Sequence, residues 1–427
     1  MIAFATILLI LLTGAAISVG ASMGLLGMAL IGVYSPLPMT RAMGEIAWTT
    51  SSGFLIVSIP LFIMLGEILL RSGIADRMYA AVAQWLSWLP GGLMHSNIGS
   101  CALFAAVCGS SAATAATVGT VALPQLKRHG YNEPLFLGSL AAGGTLGILI
   151  PPSINMIVYG IITNTSIPKL YLAGVVPGIV LSLLFMLTIL VACMFRPTWR
   201  GRPIATSWRH RMAALGDLLA PLLIFVVVIG SIYLGWATAT ESAALGVVTG
   251  MALAALRGRL SMAMMREVMR GTMRTTAMIM LVVLGAFFLN YAMTAVGMTK
   301  QVTDLVESIH LGPIALITAV IVLYLILGML MDAMAMMIAT TPIVAPIVFA
   351  AGYDPVWFGI LMVVLMEAAM ITPPVGINLF VVQGIRREGS INDIILGMIP
   401  FCVMMVVLCA ILIAFPDLAL WLPRSAQ

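Results

Sequence analysis

The residues best suited to chemistry in this sequence are small, polar and set among apolar neighbours. Gly109-Ser110-Ser111-Ala112-Ala113-Thr114 places three hydroxyls inside an uncharged run extending from 78 to 126. Small residues permit a tight turn, and a turn at membrane depth leaves carbonyls and amides that lipid cannot satisfy. Such a turn must face protein, water or a ligand. Hydroxyl and carbonyl oxygens suit a hard cation such as sodium. The competing reading of Ser110, Ser111 and Thr114 is hydroxyl-lined packing between helices.

A second element, Ile150-Pro151-Pro152-Ser153-Ile154-Asn155, is matched later by Thr372-Pro373-Pro374-Val375-Gly376-Ile377-Asn378. Proline lacks a backbone donor and obstructs the preceding turn, so each pair breaks a helix and frees carbonyls for a cation. The helix that restarts beyond the break points its positive end into the gap and favours an anion there. Each break can therefore serve a cation and an anion together.

Four carboxylates fall within or beside apolar runs: Glu67, Glu241, Asp332 and Glu367. A charge at the bilayer centre costs about 2.5–3.5 kcal/mol on insertion scales, so each needs a reason to be there. Asp332 falls at the expected tip of a second hairpin, Met331 to Met336, and is a candidate ion ligand. Glu241 follows Thr238-Ala239-Thr240 and reads first as a helix cap. Glu67 precedes Arg71 by four residues, the spacing of a helical surface pair. Glu367 is either a buried acid or part of a cation path.

These residues need a membrane protein to hold them. Of 427 residues, 62% are hydrophobic and 8% charged, far from the composition of a soluble domain. Most uncharged runs reach the roughly 20 residues that cross hydrocarbon. The first, from 2 to 34, has no basic start and reads as membrane helix rather than a cleaved leader. The 33 methionines and five cysteines show no metal-ligand spacing and read as packing residues. The net charge of +5 is explained by topology. Two arginine-rich loops, Arg196 to Arg211 and Arg257 to Arg274, belong in the cytoplasm. Propagating that choice places sixteen basic residues inside and leaves Arg41, Lys169, Lys300 and Arg424 outside. The count requires two runs, about 94–126 and 312–350, to enter and leave on one face as re-entrant hairpins. It also places both termini outside if the first run is two short helices.

A shift of 222 residues superimposes Pro124 on Pro346, Gly130 on Gly352, Tyr131 on Tyr353, Phe136 on Phe358 and Pro151-Pro152 on Pro373-Pro374. It also sets Asp332 opposite Ser110. The first copy turns among Lys127, Arg128 and His129, the second among Phe349, Ala350 and Ala351, so the predicted repeat is inverted. Inverted repeats with broken helices are the plan of secondary transporters, with the substrate between the repeats. The expected organisation is a first repeat over 1–195, with a broken helix at about 134–165, and a basic cytoplasmic linker over 196–212. A second repeat follows over 213–427, with a broken helix at about 355–385.

The sequence resembles the large membrane subunit of tripartite ATP-independent periplasmic (TRAP) transporters, within the wider ion-transporter superfamily. The resemblance rests on Ile59-Pro60-Leu61-Phe62 with Gly66-Glu67, on Gly91-Gly92-Leu93, Asn97-Ile98 and the Gly109–Thr114 segment. Gly130-Tyr131 and the two Pro-Pro segments complete it. Thr238-Ala239-Thr240-Glu241 departs from it, since the family usually has proline between the threonines. The resemblance implies an all-α polytopic fold with a scaffold and an elevator-type transport domain. It implies sodium-driven import of a small organic anion, usually a carboxylate, across a bacterial inner membrane, with a small membrane subunit and a periplasmic substrate-binding protein as partners. Carried over, Ser110, Ser111, Pro151 and Asn155 serve one sodium site, and Asp332, Thr372, Gly376 and Asn378 the other. Gly109 and Pro373 are added to these ligands, and Ser110, Ser111, Thr114, Ser153, Asn155 and Asn378 are the expected substrate contacts. The rival transport reading is a cation/proton antiporter using Asp332 and Glu367. An intramembrane enzyme is disfavoured by the lack of a His-Glu-x-x-His motif and of paired catalytic aspartates.

Overall fold

A computed structural model describes residues 1–15, 17–35, 42–202, 207–308 and 311–425. Arg41, expected outside, and positions 203–206 of the expected linker lie beyond the described residues. The first apolar run forms two helices, α1 (Ile2–Gly14) and α2 (Val19–Tyr34). They are followed by α3 (Ala42–Ser51), α4 (Ser58–Arg71), entered through a 3-10 turn at Phe54–Val57, and α5 (Ile74–Leu86). Then come α6 (Gly92–Cys108), α7 (Ser111–His129), α8 (Glu133–Thr145), α9 (Ile154–Thr163) and α10 (Ile167–Phe195). The middle of the chain supplies α11 (Trp208–Tyr233), α12 (Ala239–Leu256), α13 (Met262–Ala295) and α14 (Met298–Ser308). The last set is α15 (Pro313–Gly328), α16 (Ala333–Ala350), α17 (Pro355–Ile371), α18 (Ile377–Arg386), α19 (Ile391–Ala414) and α20 (Asp417–Ser425). Seven of the described helical stretches are long and apolar enough to cross a membrane.

Helices α6 and α7 form one hairpin and α15 and α16 another, and a tyrosine ties the base of each. The Tyr131 hydroxyl accepts from Leu93 N at 3.1 Å, joining the end of the first hairpin to its beginning. The Tyr353 hydroxyl donates to Pro313 O at 2.9 Å and does the same for the second. Both tyrosines follow a glycine with positive φ, +67° at Gly130 and +92° at Gly352, where a side chain would strain the backbone. This is the physical reason for the Gly-Tyr recurrence at 222 residues. The Pro-Pro pairs fall in corresponding interruptions, between α8 and α9 and between α17 and α18, and both bonds are cis.

Buried on every side, α8 from Leu135 onward and α17 lie at the centre of the molecule, and every residue of α17 from Val356 to Ile371 is buried. Around them α10 and α11 carry outward apolar stripes. Ile179, Leu183, Leu187 and Val191 recur every four residues along α10, the spacing of one lipid-facing ridge. Exposed Trp208 and Trp236 flank α11, where interfacial aromatics belong.

Three basic segments, at 127–129, 196–202 and 386–387, meet one another. Arg386 bridges Glu133 and Asp393 at 2.8 Å each, Lys127 reaches Glu388 at 3.2 Å, and Arg202 N donates to His129 O at 2.8 Å. The Trp85 indole likewise donates to Arg211 O at 3.1 Å.

Candidate functional site

The site is built from helix ends. The first hairpin turns at Gly109, whose φ of +65° permits the reversal, and Ser110 is the extended N-cap of α7. Gly109 rests on the first break, since a Cβ there would lie 2.7 Å from Pro152 O. Gly147, in the 3-10 turn that ends the first half-helix, lies under the hairpin tip. Its Cβ would fall 2.7 Å from Ser110 O and 2.8 Å from Thr114 Oγ1. Beyond the breaks, Ser153 caps α9 and Gly376 caps α18. In the second hairpin Asp332 is the N-cap of α16, and its Oδ2 accepts from Met334 N at 3.1 Å and Ala335 N at 3.3 Å. Ser110 and Asp332, paired by the 222-residue shift, thus cap corresponding helices.

These ends surround a cavity of about 420 Å³. Four helices start at its wall: α7 through Ser110 and Ser111, α9 through Ile154 and Asn155, α16 through Asp332 and Ala333, and α18 through Ile377. The ends of α6 and α17 reach it through Cys108 and Met370. Converging N-termini give a positive potential that an anion can occupy, while free carbonyls at helix ends suit a cation. The opposite wall is formed by Ile63, Gly66 and Glu67 of α4 and by Thr275, Met278 and Ile279 of α13.

Asn378 joins the second break to the first hairpin. Its Nδ2 donates to Ser111 Oγ at 2.8 Å and to Ala141 O at 3.1 Å, and the residue is fully buried. Its Oδ1 has no partner among the described residues. A buried oxygen acceptor beside Ser111 is chemically suited to a hard cation.

The family model for "Tripartite ATP-independent periplasmic transporter, DctM component" matches residues 4–418. This chain belongs to that TRAP family, as a large membrane subunit. It is 33% identical over 404 residues to a C4-dicarboxylate TRAP large permease of Pseudomonas aeruginosa, covering 94% of each chain. It is 32% identical over 370 residues to an ectoine TRAP large permease of Halomonas elongata, covering 86% of each. An isethionate TRAP permease of Oleidesulfovibrio alaskensis is 34% identical over 380 residues, which make up 89% of this chain but 59% of that protein. Among solved structures, the YdaH transporter of Alcanivorax borkumensis shares the fold with a TM-score of 0.64, covering 95% of this chain and 97% of that one, at 13% identity. Its relatives are permeases, and the seven candidate spans make this TRAP subunit a multi-pass membrane protein.

Within the TRAP subunit, Gly109, Ser110, Ser111, Asn155 and Asp332 line the cavity. Several other expected site residues hold the surrounding backbone instead. The Thr114 hydroxyl donates to Ser110 O at 2.7 Å, Ser153 Oγ to Ile148 O at 2.5 Å and Thr372 Oγ1 to Ala368 O at 2.6 Å. Pro151, Pro373 and Gly376 belong to the interruptions behind the wall. The second hairpin's turn is also displaced from the expected Met331–Met336: it runs from Met329 to Asp332, because the Asp332 cap already starts α16 at Ala333.

The four carboxylates separate by environment. Glu241 completes a capping box with Thr238, as its position suggested. Glu367 is fully buried, is absent from the cavity wall, and its oxygens have no partner among the described residues. Glu67 pairs with Arg71, as its spacing indicated, but it also lines the cavity. The partners of Glu67 on α13 were not foreseen. Gly271 makes room for it, since a Cβ there would lie 2.5 Å from its carboxyl carbon.

Proposed function

We propose that this chain is the permease subunit of a sodium-coupled importer of a small organic anion. A periplasmic binding protein delivers the anion, and a small membrane subunit completes the transporter in the bacterial inner membrane. The observation that carries the reading is the convergence of four helix N-termini and two hydroxyl-bearing serines around one cavity, with the unpartnered Asn378 oxygen held behind its wall by the bond from Asn378 Nδ2 to Ser111. The helix ends suit a carboxylate, and Asn378 Oδ1, Ser110, Ser111, Asn155 and the carbonyls of the breaks suit sodium. The names of the dicarboxylate and isethionate relatives favour the anion class.

The two hairpins and two broken helices move as one body against a frame containing α4 and α13, so that the cavity opens alternately to either side. Opposed repeats of 1–195 and 213–427, with the basic segments in the cytoplasm, give such a movement its symmetry. An antiporter using Asp332 and Glu367 fits less well, because the wall contains the first carboxylate and not the second.

Reconstitution with the two partner components tests the proposal. The cognate binding protein is first screened by thermal shift against succinate, isethionate and other organic acids, and the stabilising acid is used radiolabelled. Uptake is expected only with an inward sodium gradient. Equal uptake with choline replacing sodium overturns the coupling, and proton flux without organic acid supports the antiporter.

A further inference from the structure

The wall formed by α4 and α13 extends well beyond the site. At its far end a second cavity, about 1080 Å³, lies against Thr49, Thr50, Phe54, Asn290, Tyr291 and Thr294. A small void bounded by Phe287 and Asn290 of α13, Ile162 of α9 and Ile338 of α16 adjoins this second cavity. From Thr275 at the first cavity to Asn290 at the second, α13 advances about 22 Å, at 1.5 Å per residue. Among the described residues no charged side chain lines the large cavity. At the other end the same wall carries Glu67, and the ion pair is oriented so that the carboxylate, not Arg71, faces the cavity. Gly271 fixes that placement from α13.

We propose that Glu67 grades this wall electrostatically, making it acidic at one end and neutral at the other, so that an organic anion is held less tightly at the acidic end. The inference rests on the proposed movement of the hairpins along the wall. Glu67 is then a positioning residue for release: when the anion reaches it, a carboxylate in the cavity wall opposes its negative charge, whereas at the neutral end the Glu241 carboxylate stands outside the lining, exposed and accepting from Thr238 N and Oγ1. Cations experience the reverse bias. Asp332 does not create the same asymmetry, because it belongs to a hairpin and moves with the anion.

Thiol chemistry tests this without a transported substrate. Thr275→Cys, with Met278→Cys as an alternative, reports the acidic end, and Thr294→Cys reports the neutral end. In the full chain, peptide mass spectrometry follows modification at the introduced thiol, apart from the five native cysteines, by trimethylammonioethyl and sulfonatoethyl methanethiosulfonates. The second reagent is itself a small organic anion. The cation-to-anion rate ratio is expected to be about tenfold higher at the Glu67 end and to fall about fivefold on Glu67→Gln, the scale of one partly screened charge nearby. An unchanged ratio in Glu67→Gln, equal ratios at both ends, or inner thiols that neither reagent reaches would overturn the proposal. The assay needs neither sodium nor a gradient, so failure of sodium-driven uptake leaves its result standing, and the converse holds.

Discussion

At the scale of single residues, Asn378 combines structural and ligand-binding capacity. Its amide nitrogen holds two partners from the other end of the sequence, Ser111 Oγ and Ala141 O, while its oxygen stays unpartnered among the described residues. Truncation in Asn378→Ala leaves both acceptors without their donor. Stability is expected to fall by about 1–3 kcal/mol, the cost of stranding buried polar groups, as measured by thermal unfolding in detergent. If the free oxygen is a sodium ligand, the variant must also lose the stabilisation that sodium chloride gives over choline chloride. A lower melting midpoint with the full sodium shift retained would leave Asn378 only its structural role. Serine and threonine illustrate the same division. Ser110 and Ser111 reach the cavity, whereas Thr114, Ser153 and Thr372 spend their hydroxyls on nearby carbonyls. Local competition of this kind is general for these residue types. Composition alone does not separate the two groups.

Among elements, the turns and interruptions were the most legible part of the sequence, because Gly, Pro and Ser act on their own backbone. Gly109, Gly130 and Gly352 adopt the positive φ that glycine tolerates, and both Pro-Pro pairs fall between helices. The wall opposite the hairpins was not legible. It joins α4 to α13, about 200 residues apart, and no local pattern announces that Gly271 makes room for Glu67. A glycine in the arginine-rich stretch from 266 to 274 was the available hint. Close helix crossings were equally hidden. At the crossing of α8 and α19, a Cβ on Gly397 would collide with Pro134 O, and one on Gly138 would collide with Gly397 O. Gly397→Ala should therefore force the helices apart and destabilise by at least about 1–3 kcal/mol, the cost of overpacking. Gly384→Ala is the matched control. It lies within α18 with open space around its Cβ position, and helix propensity should make it neutral or slightly stabilising. Thermal midpoints of the two variants check this. Equal losses would mean that the crossing is less tight than the backbone approach implies.

For the whole molecule, the question is whether the hairpins and the α4–α13 wall move relative to each other, and one contact allows this to be asked with a single substitution. Gly66 of α4 lies against the tip of the first hairpin, where an ideal Cβ is 2.8 Å from Cys108 Sγ and 3.7 Å from Cys108 Cα. These separations are short enough for a disulfide, whose Cβ atoms lie about 3.5–4.5 Å apart. Gly66→Cys should form a bond with the native thiol under mild oxidation, linking the wall to the hairpin beside the cavity. If transport requires the cavity to slide along α13, oxidation should abolish uptake in the reconstituted transporter, and reduction should restore it. Reversibility separates a lock from misfolding, which reduction would not repair. Full uptake by a sample in which mass spectrometry finds the disulfide formed would show that α4 and the hairpin travel together. The moving boundary would then lie elsewhere, and the graded wall would carry its charge along with the anion.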